Sequence, residues 1–200
     1  MPKSTQQVVM LRNVRCSFFD AFEATAMKQG DKPAYSSHFL IENEDEQLAA
    51  VKKTIKQVAM DAYGSNGEKI LKQLKAADKI CLRDGNSKLT SDGEVMDGYA
   101  DHHYISARAY VRPTIIDRDK TPLSKEDGKP YSGCYVNAQV AIWAQTGEYG
   151  KRINCQLKGV QFIKDGPSFG GGTPADPDAF EDIADEFDDD AFGDSDDDLI

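Results

Sequence analysis

The feature that most constrains the fold of this chain is a strict alternation of two kinds of side chain in residues 102–112. Every second position carries an aromatic, basic or polar residue: His102, Tyr104, Ser106, Arg108, Tyr110 and Arg112. The positions between them are mostly apolar: His103, Ile105, Ala107, Ala109 and Val111. Because successive side chains of a β-strand point to opposite faces, this pattern predicts a strand with one face in a core and the other outside it.

The same alternation recurs in other segments. Residues 134–143 place Cys134, Val136, Ala138, Val140 and Ile142 on one face and Tyr135 and Trp143 on the other. Residues 152–162 repeat the pattern, with Gly159 at the position of a predicted bulge. Residues 7–22 and 34–42 also read as strands, joined through turn residues at 29–33 into a hairpin. In the first of these strands, Phe18 is expected to face inward and Phe19 outward.

A helical insertion is predicted between the strands, over residues 43–77. Asn43 and Glu46 have the spacing of a capping box. Apolar residues then recur at helical spacing: Leu48, Val51, Ile55, Val58 and Ala62. Five or six alternating strands with a helical connection predict a mainly β fold, a small closed β-barrel of the OB-fold type.

The net charge of −10 is unevenly distributed along the chain. Residues 173–200 contain 13 acidic and no basic side chains, which leaves 24 basic against 21 acidic residues in 1–172, a net charge of +3. A mildly basic body indicates an anionic partner, and an acidic segment this poor in apolar residues is predicted to be disordered. We therefore expect a folded domain over residues 1–165, a Gly-rich linker over 166–172 and a disordered acidic tail over 173–200.

The polar faces of the predicted strands carry the residue types on which unpaired bases stack, namely aromatic rings and guanidinium groups. The candidate stacking residues are Tyr104, Arg108, Tyr110, Tyr135 and Trp143. The candidate phosphate contacts are Arg12, Arg15, Arg112, Lys151 and Arg152, with Phe19 and Tyr149 as further candidates for the binding face. The alternative is a sheet face that the helices cover, which the arginines argue against.

Enzyme chemistry has little support in the sequence. Residues 101–103 spell the Asp-His-His of a phosphoesterase family, but His102 and His103 would point to opposite faces of a strand and could not bind one metal. The four cysteines lack CxxC spacing and lie in apolar-periodic segments, which predicts reduced core thiols rather than a zinc site. We expect a non-catalytic protein without a cofactor or metal.

Residues 1–10 lack the pattern of a signal peptide, and no apolar run is long enough for a membrane helix.

Two stretches resemble a known family: YSGCYVNAQVAIWA at 131–144 and GKRINCQLKGVQFIKDGPSFGGG at 150–172. They look like a family of phage proteins that includes single-stranded DNA-binding proteins, and the layout with an acidic tail is similar to that of the bacterial proteins of this function. The resemblance implies an OB-fold, a role in phage DNA replication or recombination, and no enzymatic activity. Bacterial members usually end in Pro-Phe, whereas this chain ends in Leu199-Ile200.

These observations lead to one main hypothesis: a sequence-independent single-stranded DNA-binding protein of the host-cell cytoplasm whose acidic tail competes with DNA. The chain ends in acidic residues followed by an apolar pair: Asp196, Asp197, Asp198, Leu199 and Ile200. This layout suits docking on replication or recombination proteins. A homo-oligomer is possible. The alternative is a protein-interaction or assembly factor whose tail mimics nucleic acid and whose barrel is a scaffold.

Overall fold

The structure of the chain is a computed structural model that describes residues 6–26, 28–147 and 150–169. Within these ranges it contains seven β-strands and two α-helices. The elements in chain order are β1 (Gln7–Thr25), β2 (Ala34–Glu42), α1 (Glu46–Tyr63), α2 (Gly67–Ala76), β3 (Leu82–Asp84), β4 (His102–Ala109), β5 (Thr114–Ile116), β6 (Tyr135–Gln145) and β7 (Arg152–Lys164).

The strands form a closed barrel. They pair in the order β3-β4-β2-β1-β6-β7-β5, and an additional parallel pairing between β4 and β7 joins Arg108 to Gln156. This pairing closes β1, β2, β4, β7 and β6 into a five-stranded barrel, which confirms the predicted mainly β fold with a helical insertion. The predicted hairpin is formed by β1 and β2, which pair antiparallel.

The core fills the barrel and continues to α1, because the apolar stripe of this helix faces the strands. Leu48, Val51, Ile55 and Val58 are buried as predicted, whereas Ala62 is exposed. Since α1 contacts β1, β2, β6 and β7, the helix covers one end of the barrel. The N-cap is Asp45 rather than the predicted Asn43, and its carboxylate accepts a hydrogen bond from the Gln47 amide at 2.8 Å. Cys16, Cys81, Cys134 and Cys155 are buried free thiols, as expected of core cysteines.

Strand β1 pairs with β2 on one edge and with β6 on the other, and its register shifts at three points along its 19 residues. The register with β6 shifts between Leu11 and Val14, where Asn13 has a φ of 50°. The register with β2 shifts between Ser17 and Asp20, where Phe18 has a φ of 48°. A β-bulge inserts one extra residue and so reverses the faces of the residues that follow it.

No helix in the described part of the chain is long and apolar enough to cross a bilayer.

Candidate nucleic-acid interface

One row of side chains crosses the outer surface of six neighbouring strands. The paired positions are Lys164 of β7, Tyr135 of β6, Arg15 of β1, Leu40 of β2, Tyr104 of β4 and Arg83 of β3. Three of these residues are cationic and two are aromatic, so the barrel assembles from distant segments the mixture that the sequence predicted for single strands. In small barrels of this type, the outer face of the second and third barrel strands is where oligonucleotides bind. Those strands are β2 and β4 here.

Arg15 lies between two aromatic rings in this row. Its guanidinium carbon is 4.0 Å from the centroid of Phe169 and 5.7 Å from that of Tyr135. Arg15 Nε donates to the Gly133 carbonyl at 3.0 Å, and Nη2 donates to the Pro167 carbonyl at 2.6 Å. The structure therefore brings together two predicted site residues, Arg15 and Tyr135, and adds Phe169. We call this group of three residues the Arg15 slot.

The expectation that Tyr104 is exposed is wrong: its side chain is only 3% exposed. Tyr99, from the connection between β3 and β4, lies over it at 5.2 Å between ring centroids. His38 lies 4.9 Å from Tyr104, and a 2.8 Å hydrogen bond joins His38 Nδ1 to the Tyr99 hydroxyl. Phe18 lies 5.1 Å from His38 and completes an aromatic cluster of Phe18, His38, Tyr99 and Tyr104. Tyr104 thus lies beneath this surface. The group that covers it is Tyr99 in the loop between β3 and β4, and not a helix.

His38 is neutral at neutral pH in this cluster. Burial first, and then the charges of Lys88 and Arg83, lower the pKa of His38 to about 4. A histidine in an unfolded chain has a pKa of about 6.5, so between these two values the unfolded state binds the proton and the folded state does not. The folded state is therefore destabilised as the pH falls from about 6.5 to about 4.

We expect this titration to cost the protein about 2 kcal/mol of unfolding free energy between pH 7 and pH 5. The variant His38→Asn keeps a polar group at this position but does not titrate, so its pH dependence should be smaller by that amount. Urea unfolding of both proteins at the two pH values measures the difference. An equal loss of stability in both proteins would show that His38 is not the titrating group.

Phe18 and Phe19 exchange their predicted places. The bulge makes Phe18 the extra residue of β1, so its ring is 42% exposed on the outer face, with Lys88 Nζ 5.1 Å from the ring centroid. Phe19 instead turns inward, packs against the barrel core and lies 5.7 Å from Phe22. Phe19 is thus partly buried against the core, and the adjacent ring that reaches solvent is Phe18.

A second cationic group lies further along the same face. Arg108 Nη2 donates to the Lys32 carbonyl at 2.9 Å, and its guanidinium carbon is 5.6 Å from the Tyr110 ring, which Lys32 Nζ approaches to 4.7 Å. Tyr110 is 59% exposed. Since Arg108 is four residues from Tyr104 along β4, it lies about 13 Å from the first row. The two groups form one track on the outer face of β1, β2 and β4.

The strand that carries Arg108 is shorter than predicted. Strand β4 ends at Ala109, so Tyr110, Val111 and Arg112 lie in the connection to β5. Val111, expected to face the core, is 74% exposed. Arg112 is exposed as well. The alternation of buried and partly exposed side chains is confirmed from Ile105 to Ala109 and fails where the pairing of β4 with β2 stops.

The remaining predicted site residues lie elsewhere on the barrel. Trp143 is half-buried near the end of β6, eight positions from Tyr135 or about 27 Å along the strand. Lys151 and Arg152 are exposed at the start of β7, and Lys151 Nζ lies 5.5 Å from the ring of Tyr63 in α1. The exposed Arg12 lies beside α1, because its backbone amide donates to the Gln47 side chain at 2.7 Å. Tyr149 and the tail residues Asp196, Asp197, Asp198, Leu199 and Ile200 lie outside the described residues.

Comparison with known proteins agrees with the fold. A family model described as the single-stranded DNA-binding protein of Enterobacter phage Enc34 matches residues 7–192. A putative protein p50 from Acyrthosiphon pisum secondary endosymbiont phage 1 is 38% identical over 179 residues, which cover 88% of this chain and 94% of that protein. This chain belongs to the phage Enc34 single-stranded DNA-binding protein family.

Two solved structures of phage single-stranded DNA-binding proteins are similar to this chain. The single-stranded DNA-binding protein of bacteriophage Enc34 in complex with single-stranded DNA has a TM-score of 0.68 and 25% identity, covering 82% of this chain and 89% of that chain. Gp2.5, a single-stranded DNA-binding protein encoded by bacteriophage T7, has a TM-score of 0.54 and 13% identity, covering 96% of this chain and all of that chain. At 13% identity, the similarity to gp2.5 shows a shared fold and nothing more.

The sequence analysis missed eight residues of this family member's candidate interface: Phe18, Lys32, His38, Arg83, Lys88, Tyr99, Lys164 and Phe169. In a strand, one of two adjacent phenylalanines must face outward, so the pair at 18 and 19 indicated that one ring would be exposed. The sequence did not show the bulge that makes Phe18 the exposed one. Lys88 and Phe169 come from a connection and from a segment after the last strand. No alternation marks such positions.

Proposed function

We propose that this protein is a non-catalytic, sequence-independent single-stranded DNA-binding protein that acts in phage DNA replication or recombination in the host-cell cytoplasm. The observation that carries the proposal is the set of rings and cations on one outer face: the half-buried Arg15 slot, the exposed Phe18 beside Lys88, and Arg108 beside the exposed Tyr110. Membership of a family that includes a protein solved with single-stranded DNA supports it further.

In this proposal, bases stack on Phe18 and Tyr110, and phosphates contact the cations beside them. Lys88 lies next to the first ring, and Lys32 and Arg108 lie next to the second. Stacking uses the faces of bases and phosphate contacts use the backbone, and neither reads a base edge. Binding without sequence preference follows. Trp143, Lys151 and Arg152 would contact DNA only if a longer strand wraps around the barrel.

The acidic tail over residues 173–200 is proposed to compete with DNA for the same cations and to recruit replication or recombination proteins through its last five residues. The charge difference between a body of +3 and a tail of −13 supports competition. Phe169, the last described residue, contacts Arg15 on this face, and the acidic segment begins four positions later in the sequence. The folded domain is proposed to cover residues 1–165, and the Gly-rich linker at 166–172 is proposed to begin with residues that contact this domain as far as Phe169.

Salt dependence tests the DNA-binding proposal. If Arg15, Lys32, Lys88 and Arg108 neutralise four phosphates, log K should fall against log salt with a slope of about −3, a loss of about 50-fold between 50 and 200 mM salt. Anisotropy titrations of labelled dT oligomers, duplex DNA and RNA measure the slope and the preference. Lys53→Gln, on the exposed face of α1, is the control that should leave the slope unchanged. Weak, salt-independent binding of all three nucleic acids would contradict the proposal.

A further inference from the structure

Residues 165–169, which follow β7, lie against the barrel at the Arg15 slot. The Tyr131 hydroxyl donates to Asp165 Oδ1 and lies near the Gly166 carbonyl, both at 3.0 Å. The Phe169 amide donates to the Ser132 carbonyl at 3.0 Å. The sequence assigned residues 166–169 to a flexible linker, whereas here they have defined contacts. We call residues 165–169 the C-terminal strap.

Two glycines make room for the strap. A Cβ at Gly98 would overlap the ring of Phe169, and a Cβ at Gly133 would overlap the carbonyl of Pro167. Both glycines also have a positive φ, of 78° and 114°, which side-chain-bearing residues rarely adopt. The surface under the strap is therefore shaped to accept an aromatic ring and a carbonyl group next to Arg15.

These two groups are what a nucleotide would present to the same arginine. The Phe169 ring covers the guanidinium group at 4.0 Å, as a stacked base would, and the Pro167 carbonyl accepts from Nη2, as a phosphate oxygen would. A phosphate oxygen is the better acceptor of the two, because it is charged and the Pro167 carbonyl is neutral. DNA can thus replace each contact that Arg15 would lose.

We propose that the Arg15 slot is a nucleotide subsite that the C-terminal strap occupies in the absence of DNA, and that single-stranded DNA displaces Phe169 from it. This inference rests on the proposed function, because it requires DNA on this face. The strap lowers the apparent affinity, because DNA fills the subsite only in the fraction of molecules from which the strap is absent, and the affinity is multiplied by that fraction. The base that enters stacks on Arg15 in place of Phe169.

The first test is the substitution Phe169→Ala in the full chain. Removing the competing ring should tighten binding of a labelled dT oligomer by about two- to fivefold, the range expected for a partly exposed cation–π contact. Met10→Ala removes another apolar side chain that is 42% exposed, on the N-terminal half of β1, and should leave the affinity unchanged. In an Arg15→Ala background, Phe169→Ala should give no gain. Unchanged or weaker binding by Phe169→Ala in the native background would overturn the subsite.

Hydrogen exchange gives a second test that needs no variant. The Phe169 amide is bonded to Ser132 and should be protected in the free protein. Saturation with a dT oligomer should accelerate its exchange, since the strap leaves the surface. Continued protection in the DNA complex would overturn displacement although DNA binding itself stands. If the native protein does not bind dT at all, it is the proposed function that fails.

Discussion

Replacing Phe18 with alanine should weaken single-stranded DNA binding by about 5- to 150-fold, since stacking on an aromatic side chain contributes about 1–3 kcal/mol per base. The ring is 42% exposed, and Lys88 and His38 lie beside it. Its φ of 48° is rare for a residue with a large side chain, so the bulge holds an aromatic ring in solvent at a conformational cost. Such a feature is typical of a functional position rather than of a core position.

The measurement compares two oligomers of equal length, one of dT and one of abasic sites. Both carry phosphates, but only the first can stack, so the ratio of their affinities isolates stacking. Phe18→Ala should reduce this ratio and leave abasic binding nearly unchanged, while Phe18→Tyr should retain it. Val111→Ala, at a residue that is 74% exposed, is the matched surface control. A dT affinity of Phe18→Ala equal to that of the native protein would show that Phe18 is not the stacking residue.

Deleting residues 173–200 should tighten DNA binding by about tenfold at low salt. A tethered segment of this length acts at an effective concentration on the order of millimolar, and non-specific polyanion binding has a Kd of about 0.1 mM at its weakest, so the tail would occupy the basic face most of the time. The gain should shrink as salt rises, because exposed charges are screened beyond about 8–10 Å at physiological ionic strength.

A control separates the charge of the tail from its length. Replacing the 13 acidic residues of 173–200 by Asn and Gln keeps the length and removes the charge. If competition is electrostatic, this variant should match the deletion at every salt concentration. Equal or weaker DNA binding by the truncated protein would refute competition by the tail, while the DNA-binding proposal would stand.

Much of the fold was predictable because burial imposes a period on the sequence. The inward residues Val136, Ala138 and Val140 of β6 are fully buried, as their alternation indicated. The stripe from Leu48 to Val58 likewise placed the insertion against the barrel. A period of two or of 3.6 residues is a local property, and it can be read without knowing which elements pair.

The candidate site was only partly predictable because it depends on contacts between distant segments. Arg15 and Tyr135 were both predicted, but only the β1–β6 register sets them side by side. Tyr104 has the right residue type and the right face, yet Tyr99 covers it. Exposure of an outward side chain depends on which loops lie over the sheet, and loops carry no periodic signal.

The sequence by itself determined the strand and helix patterns, the charge difference between body and tail, and the family to which the chain belongs. The tertiary structure decided which aromatic residues reach solvent. The bulge at Phe18 reversed the faces of two adjacent phenylalanines, and the strap brought Phe169 onto Arg15 from a segment that reads as linker. Periodicity reports which side chains a strand can bury. Bulges, covering loops and strand registers are set by the packing of the whole barrel, and they determine the surface that DNA would meet.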